Sequence, residues 1–275
     1  MKKLVKVLAV LAIACSLVAC SNNTNNTDDT NTLKVTCTLD PHSKILEFAK
    51  PILEEKYDIE LEIEVIDDYY IHNRALNEKE ADANYFQHVP FFDGEVEANG
   101  YNIVNVAGVH IEPFGFYSKT ITDLEALPEN AEVVISNSVA DHGRILSILA
   151  KAGVIELSAD ASALDATVED ITNNPKNLTF TEINPTLLAT AYEQGEGDIV
   201  AINGNYAIQA GLNPTEDAVL LEQADETNPY VNIVATHADL ENDERIEALV
   251  EVLKSDEVKN FIYETYSDGS VIPAN

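Results

Sequence analysis

Between Leu33 and Val65 the apolar residues change their spacing twice, and that change limits the folds open to the chain. Leu33 to Thr38 reads as a strand. From His42 to Tyr57, Ile45, Phe48, Ala49, Ile52 and Leu53 recur at helical spacing and form one buried stripe. Pro51 lies inside that stripe, where a proline kinks a helix or resets its start. Ile59, Leu61, Ile63 and Val65 then alternate with Glu60, Glu62 and Glu64, the pattern of a half-buried strand with an acidic outer face. Strand, helix and a strand that returns parallel make a βαβ opening, which implies an α/β fold. Ligands of open α/β sheets bind beyond the carboxyl ends of the strands. Asp67-Asp68-Tyr69-Tyr70 follows the second strand at such an end.

The alternation continues. Asn73 to Glu80 reads as a short helix and Tyr101 to Ala107 as a strand. Val133 to Ser136 is a strand, and a helix capped at or beside Asp141 runs to Ala152 with Ile145, Ile148 and Leu149 inward. Ala166 to Asn173, Leu178 to Ile183, Pro185 to Tyr192 and Ile199 to Ile202 carry on the exchange of helix and strand. Tyr230 to Ala235 is a strand, and Asp243 to Leu253 and Asp256 to Tyr266 are closing helices. No period of ~20–50 residues repeats, and 275 residues suit one large domain or two lobes.

The first 20 residues have the parts of a secretory leader: Lys2, Lys3 and Lys6, then the apolar run Leu8 to Ala14, then Leu17-Val18-Ala19-Cys20. The apolar run is shorter than the ~20 residues a membrane-spanning helix needs. Ser21 to Thr32 has no apolar residue and reads as a disordered tether. If the leader is cut before Cys20, Cys20 and Cys37 remain, and no disulfide framework within one chain is expected.

Asp and Glu total 48 against 16 Lys and Arg, a formal net charge of −32, which disfavours binding to a phosphate backbone. Gly-x-Ser-x-Gly, His-Glu-x-x-His and a phosphate loop are all absent, so nothing points to an enzyme. Gly195-x-Gly197 lacks the third glycine of a dinucleotide fingerprint and precedes a strand instead of following one.

The densest cluster of chemistry is Asp82-Ala83-Asn84-Tyr85-Phe86-Gln87-His88-Val89-Pro90-Phe91-Phe92-Asp93. Apolar rings interleaved with neutral hydrogen-bonding groups suit a small-ligand pocket. On the residues alone, the same stretch also reads as a buried strand followed by a helix that starts at Pro90. The stretch resembles the Asp-Ala-Asn-x-Phe-Gln-His-x-Pro signature of the NLPA-type lipoproteins, the methionine-binding receptors of bacterial ABC importers. The resemblance continues in order through Glu112-Pro113, Gly143-Arg144, Asn174-Pro175-Lys176-Asn177-Leu178, Ile202-Asn203-Gly204-Asn205-Tyr206-Ala207 and Asn228-Pro229-Tyr230-Val231-Asn232.

The resemblance implies a two-lobed, periplasmic-binding-protein-like fold of type II, with two crossover segments and a ligand cleft between the lobes. It divides the chain into a signal peptide (1–19), a lipidated Cys20 with its tether (20–32), lobe one (33–112), lobe two (113–227) and a return to lobe one (228–275). It implies a monomer anchored to the membrane through Cys20, working with an ABC permease and its ATPase, without a cofactor. It places the ligand carboxylate on Arg144, the ligand backbone on Asn203 and Asn232, and the side chain among Tyr69, Phe86 and Phe91. His88, Asn137 and Asp141 complete the expected site, while Asn205 is expected to serve a turn.

Arg144 is the one arginine between residues 75 and 244, and a guanidinium can grip a carboxylate with two parallel hydrogen bonds. The chain departs from the family at Asn137-Ser138-Val139-Ala140-Asp141-His142-Gly143-Arg144, where Asp141 stands in place of an Asn. That extra charge is expected to shift ligand specificity. Two other readings stand beside this one: a metal receptor using some of the six histidines, and a non-transport surface lipoprotein on the same fold.

Overall fold

The computed structural model describes residues 31–162, 164–224 and 228–274. The expected leader, lipidated Cys20 and nearly all of the tether lie outside them. β1 (Thr32–Cys37), α1 (His42–Tyr57) and β2 (Glu60–Val65) form the βαβ unit, with Leu33 opposite Leu61 in a parallel pair. α1 runs through Pro51 as a single helix, with Pro51 on its exposed side. β2 is an edge strand, so Leu61 is buried while Val65, at its far end, is 45% exposed.

α2 (Tyr69–Asn77) starts four residues before the expected Asn73, because the Asp68 carboxylate accepts the Tyr70 N–H at 2.9 Å and caps the helix there. β3 (Ala83–His88) leads into α3 (Val89–Asn99), and β4 (Ile103–Ile111) runs past the expected Ala107. The chain then enters β5 (Gly115–Tyr117), β6 (Glu132–Ser136), α4 (Val139–Lys151) and the small hairpin partners β7 (Glu156–Leu157) and β8 (Ile171–Asn173). The helix expected from Ala166 is only a 3₁₀ turn at Val168–Asp170 before β8. The β-branched Thr167, Val168, Ile171 and Thr172 disfavour a longer helix there. Next come β9 (Thr179–Ile183), α5 (Leu188–Gln194), β10 (Ile199–Ile202), α6 (Gly204–Gln209), α7 (Pro214–Asp217) and β11 (Leu220–Leu221). β12 (Val231–His237), α8 (Glu244–Leu253), α9 (Asp256–Thr265) and β13 (Ile272–Pro273) close the chain.

Two mixed sheets result. One has the order β13-β4-β12-β3-β1-β2 and the other β11-β5-β10-β6-β9. The chain crosses between them twice, from β4 to β5 and from β11 back to β12. Each sheet has its own core. Leu33, Val35, Leu61 and Val234 pack with Ile45, Leu46, Leu53, Leu249 and Ile262 of the covering helices. In the second sheet Val133 and Ile135 face one cluster and Val134 the other, so the run Val-Val-Ile belongs to a strand covered on both faces. The architecture is therefore the two-lobed α/β, periplasmic-binding-protein-like fold, and the carboxyl ends of β3 and β10 converge where the lobes meet.

Candidate ligand-binding site

β3 supplies the first wall. All six of its residues are buried. Its pairing with β12 places Ile233 opposite Gln87 and Val234 opposite Tyr85, so Phe86 is skipped. In a regular strand Asn84 and Gln87 would face opposite sides. With the bulge they meet: Gln87 Nε2 donates to Asn84 Oδ1 at 3.1 Å and to Asn73 Oδ1 at 2.7 Å, and Asn73 Nδ2 donates to Gln87 Oε1 at 2.7 Å. This buried amide cluster holds the strand end.

His88 ends β3 and caps α3. Its Nδ1 accepts the Phe91 N–H at 3.2 Å, which places the ring proton on Nε2, 3.4 Å from Asp141 Oδ1. Phe86, Phe91 and Tyr69 form a three-ring wall with centroid separations of 5.9, 5.9 and 6.0 Å. Tyr69 also stacks on Tyr206 at 5.0 Å, and its hydroxyl donates to Asn205 Oδ1 at 2.6 Å. Tyr206 OH donates back to the Asp67 carbonyl at 2.9 Å, so the two lobes bond across the cleft.

These walls bound one cavity, lined by Tyr69, Phe86, Gln87, His88, Phe91, Glu112, Asp141, Arg144, Asn203, Gly204, Asn205 and Asn232. Eight of the nine residues expected at a site therefore share one cavity. Asn137 is the exception: it is exposed, and its backbone N–H donates to the Ile183 carbonyl at 2.8 Å. Asn205 lies buried in the first turn of α6 and lines the cavity, where sequence favoured a turn role.

Arg144 is only 4% exposed, and much of its guanidinium is already engaged. Nε lies 3.2 Å from both Glu222 oxygens, and Nη2 donates to Glu222 Oε2 at 2.5 Å and to the Glu112 carbonyl at 2.8 Å. The Tyr230 and Phe114 rings lie 4.3 and 5.2 Å from its central carbon. The Nε–Nη2 edge thus faces Glu222, and Nη1 is the nitrogen without a bond among the described residues. Glu222 is itself fastened to the first crossover, its carboxylate accepting the Phe114 N–H at 3.1 Å. Sequence reasoning missed Glu222. The clue available was that a buried arginine requires a buried carboxylate.

Beneath the cavity lies a second polar group. Tyr85 OH donates to His110 Nδ1, and His110 Nε2 donates to Glu112 Oε1 at 2.8 Å. His42 Nε2 donates to Asn232 Oδ1 at 3.0 Å and lies 3.5 Å from Glu112 Oε1. Burial holds His42 down at about 4, against the pull of Glu112, and His110 down at about 3. Burial pushes Glu112 up, opposed by His42 and Arg144. Ligand atoms of His42, His110 and Glu112 lie within 4.8 Å of one another, so these three are the residues that could hold a metal. Each short contact among them is also satisfied by one proton. A Cβ on Gly204 would meet Glu112 Cβ at 2.7 Å, so only glycine lets α6 approach the crossover this closely.

Residues 33–275 match the family model described as NlpA lipoprotein. The chain belongs to the NlpA lipoprotein family. As an NlpA lipoprotein it is a lipid-anchored, extracytoplasmic solute receptor of an ABC importer, partnered by a permease and its ATPase, and not an enzyme. It is 45% identical to the "Methionine-binding lipoprotein MetQ" of Bacillus subtilis, over all of both chains. It is 32% identical to the "D-methionine-binding lipoprotein MetQ" of Escherichia coli, over 93% of this chain and 92% of that one. Among solved structures it is similar to a nutrient binding protein from Burkholderia cenocepacia bound to methionine. That match has a TM-score of 0.83 and 35% identity, and covers 88% of this chain and 100% of the other.

Proposed function

We propose that the cavity binds free methionine and that closure of the lobes over it presents the amino acid to the permease. One observation carries this reading: a single buried cavity brings Arg144, with Nη1 unengaged among the described residues, together with the three-ring wall of Tyr69, Phe86 and Phe91. Arg144 Nη1 and the Asn232 amide N–H₂ meet the carboxylate. His42 holds Asn232 Oδ1 and so leaves the nitrogen end for the cavity. The thioether packs against aromatic edges, which favour sulfur. Relatives named for methionine, and one solved with it bound, support the assignment. Cys20 carries the lipid that anchors the domain to the membrane.

Calorimetric titration of the full-length protein in detergent, after dialysis to remove co-purified solute, tests the proposal. Methionine is expected to bind with micromolar or tighter affinity, one per chain, and Arg144→Leu to abolish the signal. Binding that survives Arg144→Leu unchanged would refute the placement of the carboxylate.

A further inference from the structure

We infer that Asp141 is the counter-ion of the ligand's α-ammonium, so that the cavity selects for a charged primary amine next to the carboxylate. This rests on the amino-acid reading above and assigns the end of the ligand that Arg144 does not hold.

Asp141 is 2% exposed and lines the cavity, yet it has no close partner among the described residues. His88 Nε2 lies 3.4 Å from Oδ1, and Asn203 Nδ2 lies 3.4 Å from each oxygen. Bonds from a charged donor to a carboxylate run at ~2.7–2.9 Å. The nearest guanidinium, Arg144, is already matched by Glu222. Burial pushes Asp141 up, but His88, Arg144 and Asn203 together hold it below the usual carboxylate range, so it is charged at neutral pH. Each of these contacts is longer than a charge-assisted bond, so a cation in the cavity can approach the carboxylate more closely than any of them does. The first turn of α4 gives it some help through the helix dipole, but an exposed acid would gain that help without burial.

A second, independent feature points to the same cation. Asn203 Oδ1 is buried, belongs to a cavity-lining residue and has no partner among the described residues. Asn203 turns Nδ2 toward Asp141 and keeps Oδ1 as a second acceptor on a neighbouring side chain of the same cavity. Arg144 lies three positions along the same helix face, a separation of ~5–6 Å between Cβ atoms. The ammonium and carboxylate of an α-amino acid branch from one carbon, so they can reach two such neighbours at once, with the side chain left to the aromatic wall.

The test compares methionine with its des-amino analogue, 4-(methylthio)butanoate, on wild type and Asp141→Asn by calorimetry of the full-length protein in detergent. The Asn variant is expected to bind methionine at least ~10-fold more weakly and the des-amino acid as well as wild type or better, because no ammonium is lost and one repulsion is removed. Equal weakening for both probes would mark Asp141 as merely structural and overturn the inference. So would unchanged methionine affinity. If wild type binds neither methionine nor any other free amino acid, the amino-acid reading fails and the inference falls with it.

Discussion

Arg144 and Glu222 are 78 residues apart in the chain and form a buried, forked ion pair, with Nε at 3.2 Å from both carboxylate oxygens and Nη2 at 2.5 Å from Oε2. The pair ties α4 to the stretch just after β11, and Glu222 also holds Phe114 of the first crossover. It cancels most of the charge on Arg144 and fixes its plane, so the cavity receives an oriented N–H donor in place of a freely moving cation.

Glu222→Ala leaves Arg144 buried without its partner. Breaking one side of a buried pair costs about 3–5 kcal/mol. For a domain of this size that corresponds to a fall in Tm of roughly 6–20 °C, read by a calorimetric melt. A melt within about 2 °C of wild type would show that Arg144 does not depend on Glu222.

Phe91→Leu keeps an apolar side chain but removes the ring. Methionine affinity is expected to fall roughly two- to tenfold, the range of a sulfur–aromatic contact. Norleucine, which has a methylene in place of the sulfur, is expected to lose less. Equal losses for the two ligands would show that the wall acts by volume alone.

His72 is fully buried, stacked on Phe86 at 4.1 Å, with its ring nitrogens 3.0 Å from Thr36 Oγ1 and 3.2 Å from the Ile66 carbonyl. Burial lowers it to about 4, partly opposed by the Ile66 carbonyl. The unfolded chain therefore takes up a proton near pH 6.5 that the folded one refuses until about pH 4. Stability from this group is full above pH 6.5 and is lost as the pH falls. By pH 5 the loss is about 2 kcal/mol. Denaturant unfolding at pH 7 and pH 5 should show a smaller acid loss in His72→Gln than in wild type by that amount, with the background charge effects cancelling in the comparison. An equal loss in both proteins would contradict a neutral, buried His72.

The opening βαβ unit was legible because its periods are long and clean, from Ile45 to Leu53 in α1 and from Ile59 to Val65 in β2. Arg144 stood out because the chain has only three arginines. Glu222 did not, since one glutamate among 48 acidic residues carries no contrast. The bulge at Phe86 was equally hidden: a strand's sequence does not reveal where its partner skips a residue, yet that skip brings Gln87 onto Asn84. Asn205 was read as a turn residue because asparagine after glycine favours turns, whereas burial against Tyr69 decides its place in α6. The His42–His110–Glu112 group brings residues from α1 onto the end of β4, beyond any spacing rule for metal ligands.

That group also separates the metal-receptor reading from the amino-acid one. Every contact of 3.0 Å or less within it is a hydrogen bond that one proton satisfies. Prolonged dialysis against EDTA is expected to leave methionine affinity within about twofold of its starting value. A loss restored by Zn²⁺ would mean that the three residues hold a metal needed by the site.

A crystal structure of the protein grown with methionine examines the placement of the ligand most directly. The expected density lies between the lobes, with the carboxylate at Arg144 Nη1 and the thioether among Tyr69, Phe86 and Phe91. Methionine bound elsewhere, or lying in the cavity with its carboxylate turned away from Arg144, would contradict it.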